Sequence, residues 1–376
     1  MKTSRRDFLK GALALGSASL LNACPSPAEL QIGQKTYNVK YNLDGETKDV
    51  ATRLYYPMDN KKYPLIGFSH GYFASPKMHD DNLRGIAKKG YFVVAPSHND
   101  YANVETDNSL WQVLGNFTEI FEDVDNVYNH VRQIPGFENT TYQQLAAMFL
   151  DKILGGEIDN PELIDIFKDV FKYRVSEVDS SLNFALGLNN SDFYGRIDKD
   201  NIGTLSHSMG GYGTIESILN RGDIKSAALM SSVSSLSDIN KITIPTVWQT
   251  GTYDNGAYPP TVKAYNNVQG ESSFVSFKDV GHLSFCKEGV ALHELIRVLG
   301  LQDYFTSINL RGLLGSKAGE KVFTENDFKA CIDYEGKLEA INESVKCFFE
   351  DNLKSKGNKA DFMEDYGWRV NEFYQK

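Results

Sequence analysis

Apolar and polar residues alternate along Tyr37 to Leu43 and Val50 to Tyr56. That is the two-residue period of antiparallel strands that bury one face and solvate the other. Tyr63 to Ser69 (YPLIGFS) and Tyr91 to Ala95 (YFVVA) run almost continuously apolar, as strands covered on both faces do. Between them, Asp80 to Lys89 carries a helical period. Four further strands are predicted at Asn201 to Ser206, Ser226 to Met230, Thr246 to Thr250 and Ser273 to Phe277, with helical stretches such as Gly211 to Leu219 interleaved. Strand and helix in alternation predict an α/β fold: a doubly wound, mostly parallel sheet with right-handed crossovers and a ligand site at the strand C-termini.

Two segments interrupt that alternation. Residues 110–175 are mostly helical patterns, among them Leu145 to Leu154 and Pro161 to Tyr173, with no strand between them. Residues 290–340 form another helical insert, followed by a final helix at Leu338 to Leu353 and an aromatic tail. An insert between sheet strands is a natural lid over a site, and a surface elaboration that only adds stability fits the pattern equally well.

The N-terminus is not fold material. Arg5 and Arg6 precede a short apolar run, Gly11 to Leu21, which is too short to span a bilayer core of about 30 Å and is laid out like an export signal. It resembles a bacterial twin-arginine signal. Leu21-Asn22-Ala23-Cys24 then resembles a lipoprotein cleavage box, in which Cys24 would become the lipidated first residue of the mature chain. The expected organisation is a signal over 1–23, a tether over 24–34 and one α/β domain with the two inserts over 35–376. The expected localisation is export, with anchoring to a membrane through the lipid on Cys24.

Composition narrows the partners. The 376 residues carry a net charge of −10, and cutting before Cys24 removes Lys2, Arg5, Arg6 and Lys10 but only Asp7. An acidic body argues against extended contact with a phosphate backbone, so no nucleic-acid partner is expected. Oligomeric state is not legible. Four cysteines, Cys24, Cys286, Cys331 and Cys347, are too few and scattered for a disulfide scaffold or a CxxC metal site. With Cys24 assigned to the lipid, three remain. A bridge from Cys286 to the C-terminal insert, a Cys331–Cys347 pair, and three buried thiols are all open.

Chemistry concentrates in Leu205-Ser206-His207-Ser208-Met209-Gly210-Gly211. It lies where an apolar strand gives way to a helix, the setting of a G-x-S-x-G nucleophile elbow, with Ser206 at the first glycine position. A sharp strand-to-helix turn needs small residues on both sides of the nucleophile, here Ser208. Its hydroxyl needs a base, and His282, in Val280-Gly281-His282-Leu283-Ser284-Phe285, follows the last predicted strand. His98, after Tyr91 to Ala95, is the weaker substitute. The orienting acid is expected between them in chain order. Asp254, in Thr250-Gly251-Thr252-Tyr253-Asp254, fills that place; Asp238 is the rival, and Asp279 reads as a turn residue. Ser69-His70-Gly71-Tyr72 ends an earlier strand as an oxyanion loop would, so the backbone N–H groups of Tyr72 and Met209 are the predicted oxyanion donors. His70 is read as a structural hydrogen-bonding residue behind that loop. No HExxH and no clustered His/Asp set is present, and neither a metal nor a cofactor is expected.

These loops, in this order, resemble the α/β-hydrolase superfamily over roughly residues 35–290 and the helix near 338–353. Leu54-Tyr55-Tyr56-Pro57 leading to Gly67-Phe68-Ser69-His70-Gly71, with Gly281-His282-Leu283-Ser284-Phe285, is similar to the platelet-activating factor acetylhydrolase and dienelactone-hydrolase-like group. His70-Gly71-Tyr72 with Ser208-Met209-Gly210 is similar to the cutinase-like polyester hydrolases, whose oxyanion donors are likewise a Tyr and a Met. The resemblance implies an α/β-hydrolase fold, with the helical insert and a C-terminal helical extension added to it. It implies serine ester hydrolysis through Ser208, His282 and Asp254 on a small-molecule or lipid ester. A short-acyl ester, including an acetylated phospholipid, is the first expectation. A polyester or lipase-type hydrolase and a serine peptidase or thioesterase share the same residues. A non-catalytic binding lipoprotein is the reading from another class. Dienelactone hydrolases use a cysteine where Ser208 stands, polyester hydrolases place an aromatic residue where His207 stands, and the 110–175 insert is longer than in those compact enzymes.

Overall fold

The computed structural model describes residues 30–71, 74–98, 161–234, 236–254, 257–287, 334–355 and 369–375. The signal, Cys24, Tyr72, Cys331, the predicted helix at Leu145 to Leu154 and most of both predicted inserts lie outside them.

Nine strands form one mixed, mostly parallel sheet: β1 (Ile32–Leu43), β2 (Glu46–Pro57), β3 (Tyr63–Ser69), β4 (Phe92–Pro96), β5 (Ile197–His207), β6 (Ile224–Met230), β7 (Thr246–Gly251), β8 (Ser272–Phe277) and β9 (Val370–Gln375). Their spatial order is β1-β2-β4-β3-β5-β6-β7-β8-β9. Pairing is parallel from β4 through β8 and antiparallel at both margins. The helices are α1 (Asp80–Lys88), α2 (Pro161–Leu188), α3 (Gly210–Asn220), α4 (Tyr258–Asn267) and α5 (Tyr334–Lys354).

The continuous apolar runs now have a cause. In β3, Ile66 and Phe68 enter one core with Ile86 of α1 and Val345 and Phe349 of α5. Leu65 enters the other core with Val178 and Leu182 of α2 and Ile215 of α3. In β4, Val93 and Ala95 face the first core, and Phe92 and Val94 the second. Alternate residues face opposite sides of a strand, so a strand sandwiched between helical layers is apolar at every position. The result is a three-layer α/β arrangement with the strand C-termini along one edge.

Two expectations change. The helix predicted to end at Tyr173, inside an insert bounded at 175, runs without a break to Leu188. Val178, Leu182 and Ala185 continue an apolar stripe and bury it against the sheet, so α2 is a layer of the fold along its second half. The aromatic tail contains a ninth strand, β9, paired with β8 from Ser273↔Gln375 to Phe277↔Val370. Among the described residues, no helix is long and apolar enough to cross a membrane.

Candidate active site

β5 ends at His207, and Ser208 turns the chain into α3 with φ +54°, a left-handed conformation that L-residues adopt only under constraint. The constraints are visible. The Ser208 N–H donates to the Met230 carbonyl (3.1 Å), and its own carbonyl accepts from Val233 (2.8 Å) and Gly211 (2.9 Å). Gly210 is required by the packing: a Cβ there would lie 2.0 Å from the Ser69 carbonyl oxygen. Ser206, at the usual glycine position, is fully buried, and its hydroxyl is hydrogen-bonded to Ser232 Oγ at 2.8 Å. The elbow accommodates a serine there because a neighbouring strand end offers it a partner.

Asp254 follows β7 on a tight turn, with its N–H donating to the Gly251 carbonyl (3.1 Å). At Gly251 a Cβ would lie 1.9 Å from the Val280 carbonyl oxygen. The glycine therefore lets the acid-bearing loop lie directly on the loop that carries His282. Thr252 N–H to Phe277 O (2.9 Å) and Tyr253 N–H to Val280 O (3.0 Å) fasten the two together.

These elements bring the three predicted side chains into one line. The Ser208 hydroxyl donates to His282 Nε2 at 2.8 Å, and His282 Nδ1–H donates to Asp254 Oδ2 at 2.9 Å. Asp254 Oδ1 accepts the Ala257 N–H at 3.1 Å. Burial alone would raise the Asp254 carboxyl. The facing His282 ring and the Ala257 amide outweigh it and hold the group below its ordinary 3.8. The acid is 3% exposed and the base 24%, so the line runs from the interior to an accessible end at His282.

The other candidates separate cleanly. Met209 is buried at the head of α3, and among the described residues its N–H is donated to no backbone carbonyl. Tyr72 lies outside those residues. His98 is fully buried and bonded to Glu177, which corrects its standing as a substitute base. Asp238 is paired with Lys241 on the surface (2.7 Å) and does not face His282. Asp279 adopts φ +55° and is a turn residue. His70 donates from Nδ1 to the Gly71 carbonyl and is completely buried, behind the loop as expected. Cys286 and Cys347 are both buried; Cys331 and most of the C-terminal insert, the partners in the two open pairings, lie outside the described residues.

One contributor was missed. His207 Nε2–H donates to the His282 carbonyl at 3.0 Å, with the two rings 5.0 Å apart. Burial, then the adjacent His282 and His79 rings, holds its pKa well below 6.5, so its ring carries a single N–H, aimed at the base loop. The residue's position beside Ser208 is legible in the chain, but its partner is not. His207→Phe keeps the ring and removes the donor. Turnover is expected to fall about 3- to 10-fold, the worth of one neutral hydrogen bond. Wild-type kinetics would assign the contact no role in holding His282.

Among the described residues, no group of three or more His, Cys, Asp or Glu side chains is arranged to hold a metal ion. Residues 165–293 match the family model described as PETase, PET hydrolase-like. No curated protein matches the chain. The matched segment carries Ser208, Asp254 and His282 and is similar to the PET hydrolase-like family, in agreement with the α/β-hydrolase resemblance drawn from the sequence.

Proposed function

We propose that the chain is a serine hydrolase of carboxylic esters, and the hydrogen-bonded line Ser208–His282–Asp254 is the observation that carries this reading. His282 Nε2 takes the proton as Ser208 Oγ adds to the ester carbonyl, then gives it to the departing alcohol. Asp254 keeps Nδ1 protonated, so that Nε2 remains the acceptor, and stabilises the imidazolium. The Met209 amide, at the positive end of α3, and the Tyr72 amide hold the oxyanion. Water activated by the same histidine then releases the acyl-enzyme.

Asp254→Asn tests the tautomer argument. The side-chain amide can present N–H to Nδ1 and leave Nε2 protonated, so kcat is expected to drop about 10⁴-fold with the fold intact. A loss under tenfold would mean that another group orients His282.

The substrate is proposed to be a small or short-acyl ester, with an acetylated phospholipid among the candidates. The PET hydrolase-like match favours a polyester as the second reading. Hydrolysis of p-nitrophenyl esters of increasing acyl length, beside an sn-2-acetyl phospholipid and a polyester film, separates them. A C2–C4 preference with phospholipid turnover supports the first; depolymerisation of the film supports the second. A folded protein that takes no label from a fluorophosphonate probe would be a binding lipoprotein instead. The export signal and the lipid on Cys24 belong to the same proposal: mass spectrometry should find a diacylglyceryl group on Cys24, and Cys24→Ala should release the protein from the membrane fraction.

A further inference from the structure

A second set of buried polar side chains lies behind the site and takes no part in these proton transfers. Helix α2 contributes Arg174 and Glu177, the turn after β4 contributes His98, and the end of β3 contributes Ser69 and His70; all five are at most 1% exposed. The Ser69 hydroxyl donates to His98 Nε2 at 2.8 Å, and His98 Nδ1–H donates to Glu177 Oε2 at 2.8 Å. The His98 backbone N–H donates to His70 Nε2 at 2.9 Å. That leaves His70 Nδ1–H to donate to the Gly71 carbonyl at 2.8 Å, while Arg174 Nη1 donates to the His70 carbonyl at 2.8 Å.

Two consecutive carbonyls, those of His70 and Gly71, are therefore gripped by side chains. Gly71 itself lies against the nucleophile: a Cβ there would come within 2.8 Å of Ser208 Cβ. In a trans peptide the N–H points opposite to the C=O, so a side chain that fixes a carbonyl also fixes the direction of the amide that follows it. Burying an arginine and a glutamate is expensive, and apolar residues of similar volume would often fill such a space at lower cost. Apolar residues could not hold two carbonyls in register.

We propose that Arg174, Glu177 and His98 form a buried brace that positions the Ser69–Gly71 strand end as the oxyanion side of the site, acting on the transition state rather than on substrate binding. The inference rests on the ester-hydrolase reading. These are positioning residues, since none of them reaches the reacting atoms.

The test is steady-state turnover of a p-nitrophenyl ester by full-length variants, expressed per active site labelled to completion with a fluorophosphonate. His98→Ala is expected to lower kcat per labelled site by about 10- to 100-fold, below the 10²–10³ of losing an oxyanion donor outright, with KM within about threefold. Glu177→Gln keeps an oxygen for His98 Nδ1–H and should stay within about fivefold of wild type, whereas Glu177→Ala should fall with His98→Ala. Where His98→Ala does not fold, Ser69→Ala removes a single contact and should lower kcat about three- to tenfold. Unchanged kcat per labelled site with only a lower Tm would make the brace purely structural and overturn the proposal, as would a rise confined to KM. A wild-type protein that labels yet hydrolyses no ester sinks the ester reading alone. The labelling rate then replaces kcat in the same comparison, a fall supporting the brace and equality overturning it.

Discussion

Ser208→Ala should abolish ester turnover, by a factor of about 10⁶ if the residue behaves as nucleophiles of this type do, while Tm shifts by no more than a few degrees. The size follows from the geometry, since the 2.8 Å contact of His282 Nε2 is with Ser208 Oγ. The small effect on stability follows from the backbone. At φ +54°, serine and alanine carry the same left-handed strain of about 1–2 kcal/mol. Ser208→Gly relieves that strain and should be more stable than Ser208→Ala by about 1 kcal/mol, after the extra unfolded-state entropy of glycine is subtracted. Thermal unfolding of the pair, alongside a turnover assay, reads both quantities. Turnover above about 1% of wild type in Ser208→Ala would mean that the nucleophile lies elsewhere.

The second large effect concerns acid. His70, His79, His98 and His207 are all at most 2% exposed. Burial, with Arg174, lowers His70 to about 3; burial, with the His70 ring, lowers His79 to about 3. Burial and Arg174 hold His98 well below 6.5, as burial and His282 do for His207. Each ring is neutral in the folded protein and protonates near pH 6.5 when unfolded. Below that pH the unfolded state binds more protons, so stability falls as pH drops from 6.5 towards 3, by about 1.4 kcal/mol per pH unit for each histidine. Four together would remove about 5 kcal/mol per unit, against a total stability of about 5–15 kcal/mol. The protein is therefore expected to unfold between about pH 4 and 5.5. Asp254, held below 3.8, contributes only at more acidic pH. Urea unfolding at pH 7.5, 6.5, 5.5 and 5 measures the slope. His79→Phe should reduce it by about 1.4 kcal/mol per unit. A flat profile from pH 7 to 5 would show that these rings take up protons in the folded state as readily as in the unfolded one.

The sheet and the Ser208, His282 and Asp254 line were readable because their signals are local. Continuous apolar runs named the inner strands, and the small residues around Ser208 named the elbow. β9 was missed because it is a margin strand: only Val370 is buried in VNEFYQ, so no alternation announces it, and its pairing with β8 spans the whole C-terminal region. The continuation of α2 past Tyr173 was missed for a related reason. Arg174 and Glu177 interrupt the apolar stripe with charges, and they are bonded to His70 and His98 on other elements. The role of His207 was hidden in the same way, since its partner is a backbone carbonyl 75 residues away. Local pattern names elements; partnerships across elements belong to the packed structure.

Strand order also determines how far the chemistry would stand from a surface to which the N-terminus were tied. The body begins at β1, the margin opposite β9, and Ser208 leaves the fifth strand in order, β5. Four inter-strand steps place it about 19 Å across the sheet from the margin where the chain enters, and Ile32, paired with Pro57 beyond Tyr55↔Val93, enters at the opposite end of the parallel strands. On the proposal that Cys24 carries the lipid, the segment to Ile32 reaches at most about 27 Å when extended. The leash must also cover the length of the strands, so their C-terminal edge would meet the bilayer only with the tether near full extension. An ester held in the anchoring leaflet would then be reached only at that extension, whereas one diffusing past it would be in range of the same serine throughout. On that proposal the length of those few residues would set the choice between them, and shortening the tether should penalise membrane-embedded substrates first.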